Sequence, residues 1–239
     1  MHVRDHVAFS GLDQIIEKIR ETEFYYSEMD LEPSLNPDLV SFQVMPGDQT
    51  LSSLIPEKKY LRLHRSIQKS FGINIQLYDH FYPMILSNLI QTAILENQSE
   101  LILDYHLYHL AREEGKTMRY LESLEDQLSV FKNIPLEAQL KSLLQLGRQP
   151  VKAKKQLKAL VNDYAEKNTR QLYHRTQKQL GKLRHMLLYE RNIQMAEKLT
   201  EELKDSNAFV AVGAAHLFGY KGILRLLKKT GFQIQAVKF

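Results

Sequence analysis

One stretch near the C-terminus, residues 207–237, restricts the fold more than any other part of the chain. Residues 208–212 form a continuous apolar run, which is typical of a strand buried on both faces of a sheet. A helical stripe of leucine and isoleucine follows at 223–227, and residues 232–237 have the pattern of another strand. A strand, a helix and a strand within about 30 residues make a parallel β-α-β crossover. The stretch therefore predicts an α/β fold.

The same stretch carries a histidine where such folds carry out their chemistry. Gly213 ends the apolar run, and His216 follows three residues later. Open α/β sheets bind ligands at the carboxyl ends of their strands, so His216 is a candidate site residue. We expect it at a helix N-terminus outside the strand, where replacement by alanine would remove activity and leave the fold intact. A structural or solvent-exposed histidine is the alternative.

Two charged residues are further candidates. Glu28 ends the aromatic strand pattern of residues 24–27 and would share the sheet edge of His216 if the strands are parallel. Arg191 lies on the apolar stripe of a predicted helix, and a buried charge needs a partner or a ligand. An exposed carboxylate and an arginine that reaches solvent from the helix end are the alternatives.

Strand patterns lie mainly toward the two ends of the chain, and helical patterns dominate between them. A further short strand is predicted at 117–121, and residues 122–203 are almost wholly helical. The simplest organisation is a single α/β domain over residues 1–239. Its mixed or parallel sheet is built from the N- and C-terminal segments, with 122–203 as a long helical insertion.

Composition excludes several classes of protein. The chain has no cysteine, so disulfides, thiol nucleophiles and thiolate metal ligands are excluded. Any metal must be held by imidazole and carboxylate, which suits zinc, manganese, cobalt or iron more than copper(I). The sequence lacks an apolar run of about 18 residues, and therefore lacks a transmembrane segment. The G-x-S-x-G, Walker A and H-E-x-x-H motifs are absent as well.

The positive charge of the chain is concentrated between residues 148 and 184. Eleven Lys or Arg residues stand there against two acids, Asp163 and Glu166. Nucleic acid or an anionic membrane surface would suit such a segment. We favour the solvated face of a long helix, because apolar side chains recur at helical spacing on its other side. The positions at this spacing are Leu157, Leu160, Val161, Tyr164, Asn168 and Leu172, of which Asn168 is polar.

Several motifs together resemble the TraB/GumN family, to which the Tiki-type proteases belong. The segments that carry the resemblance are 1–5, 27–30, 103–127, 190–196, 209–217 and 222–232. The family has two GxxH motifs, of which Gly213 and His216 match the second. His2 matches the histidine of the first, whose glycine is not in the chain. Glu28 matches a strand-end glutamate and Arg191 a helix arginine.

The resemblance implies a metal-dependent hydrolase, most specifically a peptidase. His2, Glu28 and His216 would hold a divalent ion such as Mn, Co or Zn and act on a peptide or small-molecule substrate; without a metal, one histidine would be the general base and Glu28 would orient it. Arg191 would complete the catalytic set within reach through one water, where it would stabilise a developing oxyanion or bind a substrate carboxylate. It also predicts an upstream extension, with a strand that ends in Gly-Thr before Met1. The sequence leaves the location unknown: it would be cytoplasmic as the sequence stands, and secreted or periplasmic if the N-terminus is truncated.

Two other functions stay open at this stage. One is a haem- or metal-binding protein without turnover, as in the haem-binding branch of the wider group with erythromycin esterases. Tyr105, His106 and His109 would suit haem, although histidines at this spacing commonly form a helix surface. The other is a protein that binds nucleic acid or a membrane surface through residues 148–184, of which nucleic acid is disfavoured.

Overall fold

The computed structural model describes residues 11–32, 43–95 and 103–237, which form a small parallel sheet among many helices. Strand β1 is Phe24–Ser27, β2 is Thr117–Tyr120 and β3 is Ala208–Val210. The order is β2-β1-β3, and β1 runs parallel to both neighbours. The predicted α/β class is therefore confirmed, with β2 supplied by the middle of the chain.

Helices account for most of the described chain. They are α1 Leu12–Arg20, α2 Leu51–Leu54, α3 Glu57–Phe71, α4 Pro83–Leu95, α5 Leu103–Glu113, α6 Leu124–Asn133, α7 Leu136–Arg148, α8 Pro150–Ala165, α9 Thr169–Leu180, α10 Arg191–Glu202, α11 Ala214–Leu217 and α12 Ile223–Lys229. A π-helix, His185–Glu190, runs directly into α10. None of the described helices has both the length and the apolar character to cross a bilayer.

The chain groups into two compact units. The sheet unit comprises Met1–Leu31, Gln98–Leu124 and Leu160–Phe239, and the helical unit comprises Glu32–Asn97 and Glu125–Ala159. The assignment of residues 1–239 to one domain, with 122–203 as an insertion, stays a prediction.

The two tyrosines of β1 organise the core of the sheet unit. Because side chains alternate along a strand, Tyr25 and Tyr26 face opposite sides of the sheet, and both are buried. Tyr25 packs with Ile19 of α1 and Tyr108 of α5. Tyr26 packs with Met195 of α10 and with residues of α12. Burial on both faces fixes the register of the central strand, and therefore the place where its carboxyl end emerges.

The helical unit has a core of its own. Fully buried residues from α2, α3, α4, α7 and the 3-10 helix Ile75–Tyr78 fill it: Leu51, Ile67, Ile75, Leu86, Ile90 and Leu143. Gly147 lets α7 approach α3, because a Cβ at this position would lie 2.3 Å from Cδ1 of Leu63.

Three local expectations are wrong. Residues 208–212 are not a fully buried strand, because β3 is a three-residue edge strand of intermediate exposure. Residues 232–237 do not form a strand: Phe232 packs on the core, but the segment after it is exposed and pairs with none of the described strands. The stripe of residues 157–172 is divided between two helices, because Lys167 adopts a positive φ and Asn168 caps α9.

The turn after α11 depends on a glycine in close contact with a tyrosine. Gly219 has a φ of 98°, and a Cβ there would lie 1.9 Å from the hydroxyl oxygen of Tyr173. We expect Gly219→Ala to lower the free energy of unfolding by about 2–4 kcal/mol, through backbone strain and overpacking together. Denaturant unfolding of the whole chain measures the loss.

Gly231→Ala is the matched control for this prediction. Gly231 has a φ of 102°, and a Cβ there would meet no described atom within 4 Å. Its replacement should therefore cost only the backbone strain, about 1 kcal/mol. Equal losses for the two variants would show that Tyr173 moves aside freely and does not constrain the turn.

Candidate functional site

Charged side chains gather where the three parallel strands end. Glu28 follows β1 directly, and Glu122 comes two residues after β2. Backbone pairing continues past the strand ends, since the Glu122 amide donates to the Glu28 carbonyl at 2.8 Å. On the other side of β1, Gly213 and His216 follow β3. The carboxyl edge of the sheet therefore brings together segments that are distant in sequence.

Glu28 is held by three groups. Its Oε1 accepts a hydrogen bond of 2.6 Å from the backbone amide of Gly213 and lies 3.8 Å from Nε2 of His216. Its Oε2 lies 3.3 Å from Nη2 of Arg191. Burial opposes ionisation of Glu28, but His216, the Gly213 amide and the Arg191 guanidinium outweigh it and hold the pKa of this carboxyl below its usual range. Glu28 is therefore ionised at neutral pH.

Arg191 joins the two carboxylates. It forms a fork with Glu122, in which Nε donates to Oε1 at 2.7 Å and Nη2 to Oε2 at 2.5 Å. It also donates to Glu28, and its Nη1 donates to the Leu187 carbonyl at 3.4 Å. Burial lowers the pKa of Arg191, but the carboxylates of Glu122 and Glu28 raise it by more, so the net shift is upward and the guanidinium stays charged.

This geometry changes the expected contact of Arg191. The sequence predicts that Arg191 reaches the site through one water, whereas in the structure the Arg191 guanidinium contacts the Glu28 carboxylate directly. A guanidinium has five N–H donors. Arg191 uses four of them in hydrogen bonds to described residues. The contact of Arg191 with a developing oxyanion stays a prediction.

His216 is buried, with only 7% of its surface exposed. Its Nδ1 lies 2.6 Å from Oδ1 of Asn192, a residue with no exposed surface. Burial lowers the pKa of His216; the Glu28 carboxylate raises it and Arg191 lowers it, and the net shift is downward. The imidazole is therefore neutral at neutral pH.

The prediction that His216 lies at a surface position is therefore wrong, because the side chain is buried. It belongs to α11, which has only four residues, so the argument from a helix N-terminus does not apply. Replacement by alanine would not be a surface change, because it would leave the buried Oδ1 of Asn192 without its donor. His216→Asn is the better substitution, since the shorter amide can still donate to Asn192.

The predicted site residues fall into two groups. Glu28, Arg191 and His216 are brought together, whereas His2 lies outside the described residues. Their catalytic and metal-binding roles stay predictions. Glu122 and Asn192 were missed. Both had a signal: Glu122 follows a predicted strand as Glu28 does, and Asn192 shares the buried helix face of Met195 and Leu199.

The described residues offer two of the three expected metal ligands, Glu28 and His216. Within 11–32, 43–95 and 103–237, no group of three or more His, Asp or Glu side chains is arranged to hold a metal ion. The local charge nevertheless favours a cation, because two carboxylates stand against one guanidinium.

Comparison with known proteins identifies one family. The sequence matches the family model described as TraB/PrgY/gumN over residues 1–236, nearly the whole chain, and the resemblance is confirmed. Neither the curated proteins nor the solved structures contain a match to the chain.

Arg191→Met tests the buried ion network. It keeps an apolar stem and leaves two carboxylates side by side without a cation, so we expect a loss of about 3–5 kcal/mol in the free energy of unfolding at pH 7.5. The loss should shrink toward pH 4.5, where a proton neutralises one carboxylate. Arg20→Met is the control, because it breaks an exposed pair with Glu114 that should be worth at most about 1 kcal/mol. A loss no larger than that of the control would contradict a stabilising network.

The lowered pKa of His216 makes folding sensitive to acid. The unfolded chain takes up a proton near pH 6.5 and the folded chain only at lower pH. Stability from His216 is therefore present above about pH 6.5 and lost as the pH falls below it. We expect metal-free wild type to lose stability faster than His216→Asn between pH 7.5 and 5.5, by up to ~1.4 kcal/mol per pH unit. His174→Asn, at an exposed histidine, should follow the wild type. Parallel curves for wild type and His216→Asn would mean that the imidazole titrates normally.

Proposed function

The chain belongs to the TraB/PrgY/gumN family, and we propose that it is a hydrolase, specifically a metal-dependent peptidase. The proposal rests on one pair of side chains at the carboxyl edge of the sheet: Nε2 of His216 lies 3.8 Å from Oε1 of Glu28. A neutral imidazole beside an ionised carboxylate is a combination suited to activating water. The peptidase assignment comes from the resemblance to Tiki-type members of the family.

The pair can act on one water molecule. The separation of 3.8 Å is shorter than two hydrogen bonds of about 2.8 Å, so a single water can reach both atoms. His216 would accept the proton of that water, and the charge of Glu28 would stabilise the imidazolium that results. Glu28 faces Nε2, so it supports the proton transfer electrostatically and does not orient the ring from its other nitrogen.

The donor set also suits a divalent ion. Glu28 and His216 would hold it, with His2 as the third ligand that the resemblance implies. One imidazole, one carboxylate and no thiolate fit zinc, manganese or cobalt. The chemistry that such an ion supplies is activation of water and polarisation of a substrate carbonyl. Arg191 would keep Glu28 ionised and in place, and Glu122 would offset the positive charge of Arg191.

Peptide hydrolysis by the full chain tests the proposal. The protein is freed of metal with a chelator and assayed on a mixture of fluorogenic peptides, before and after addition of Mn²⁺, Co²⁺ or Zn²⁺. We expect activity only with metal, and a fall in kcat of at least about 100-fold for His216→Asn and for Glu28→Gln. His174→Asn, which changes an exposed histidine, should stay within about twofold of the wild type.

Each outcome separates the proposal from another function. Full activity in chelator that still requires His216 would favour the metal-free general base. Metal binding by calorimetry without hydrolysis of any peptide would favour a binding protein without turnover. Undiminished activity of both His216→Asn and Glu28→Gln would show that the chemistry lies elsewhere.

A further inference from the structure

We infer that Asn192 is the positioning residue of the site, because it fixes which nitrogen of the His216 ring carries the proton. Asn192 is fully buried and makes two hydrogen bonds of 2.6 Å. One joins its Oδ1 to Nδ1 of His216, and the other joins its Nδ2 to the backbone carbonyl of Lys221. The catalytic consequence rests on the proposed function, whereas the proton position is measurable without turnover.

The Lys221 carbonyl determines the orientation of the Asn192 amide. A carbonyl oxygen only accepts hydrogen bonds, so the NH₂ group of Asn192 must face Lys221. The side-chain oxygen of Asn192 must then face His216, and this oxygen also only accepts. Nδ1 of His216 therefore carries the hydrogen, and Nε2 of the neutral ring keeps its lone pair.

The anchor for this arrangement is a tight turn. The Gly222 amide donates to the Gly219 carbonyl at 3.1 Å. A Cβ on Gly222 would lie 2.4 Å from the carbonyl of Phe218, so the turn closes in this form only with glycine. The side chain of Lys221 lies over the ring of Tyr189 at 5.7 Å, which holds the same residue from another direction. The Lys221 carbonyl is therefore a fixed acceptor.

The proton position decides what His216 can do. With the hydrogen on Nδ1, the lone pair of Nε2 lies on the side of Glu28 and is able to accept a proton or bind a cation. With the hydrogen on Nε2, the ring would donate toward Glu28, and it could do neither. Asn192 opposes this second form, because its oxygen would then face the lone pair of Nδ1.

Nitrogen NMR of the imidazole rings tests the inference. Long-range ¹H–¹⁵N spectra are recorded on the metal-free full chain at pH 7.5, and the signals of His216 are assigned by their loss in His216→Asn. We expect a protonated Nδ1 and an unprotonated Nε2 in the wild type. Asn192→Leu removes the acceptor and should move the hydrogen to Nε2. Asn192→Asp loses the donor to the Lys221 carbonyl but keeps an acceptor for Nδ1, and should therefore keep the hydrogen on Nδ1.

Activity gives a second measurement on the same variants. Asn192→Leu should lower kcat by about 100-fold with KM within about threefold, and Asn192→Asp should recover most of kcat. Asn162→Leu, at an exposed asparagine of α8, controls for the substitution itself and should leave both values unchanged.

The proton position separates this inference from the proposed function. A wild-type ring with its hydrogen on Nε2, or an unchanged ring in Asn192→Leu, would overturn the role of Asn192. If Asn192→Leu does not fold, the wild-type spectrum still tests the predicted position of the hydrogen, and Asn192→Asp tests the need for an acceptor at residue 192. The expected shifts in a protein without hydrolytic activity would leave the inference standing while the hydrolase proposal failed.

Discussion

The fork between Arg191 and Glu122 is the interaction on which the site depends. It links the start of α10 to the segment that follows β2, and the same guanidinium contacts Glu28 after β1. Only 4% of the Glu122 side chain and 17% of the Arg191 side chain are exposed, so water stabilises neither charge well. A buried charge without its partner is costly, and the three segments are therefore held in one arrangement. The Arg191 guanidinium adds to the effects of His216 and the Gly213 amide, which together keep Glu28 ionised.

His216 belongs to the same edge but is controlled differently. Its ring is neutral and is held by a buried amide, whereas Glu28 is ionised and is held by a charge. The pKa of each group is lowered, which keeps His216 a neutral base and Glu28 a stabilising anion. Shifted pKa values in neighbouring groups are common at functional sites. Burial drives the shift at His216, and close partners drive the shift at Glu28. The environment of the sheet edge thus separates the protonation behaviour of two adjacent groups.

The sequence was informative about strand ends and less informative about burial. The rule that chemistry gathers at the carboxyl ends of parallel strands identified Glu28 and His216 correctly as neighbours. It did not reveal that His216 is buried, because α11 packs against α9 and the His216 ring contacts Asn192 of α10, and both helices are distant in sequence. Local alternation also failed at residues 232–237, since a strand needs a neighbour to pair with and the pattern alone does not supply one. The third expected ligand, His2, lies outside the described residues.

The start of α10 shows why a site of this kind is hard to derive from local patterns. Arg191 and Asn192 are consecutive, and consecutive residues of a helix point about 100° apart, so they must serve different partners. One serves the carboxylates and the other serves His216. The π-helix His185–Glu190 lies immediately before them and holds more residues per turn than an α-helix. The residues of α10 therefore face directions that differ from those expected for an uninterrupted α-helix. The π-helix therefore decides which two residues of α10 face the sheet edge.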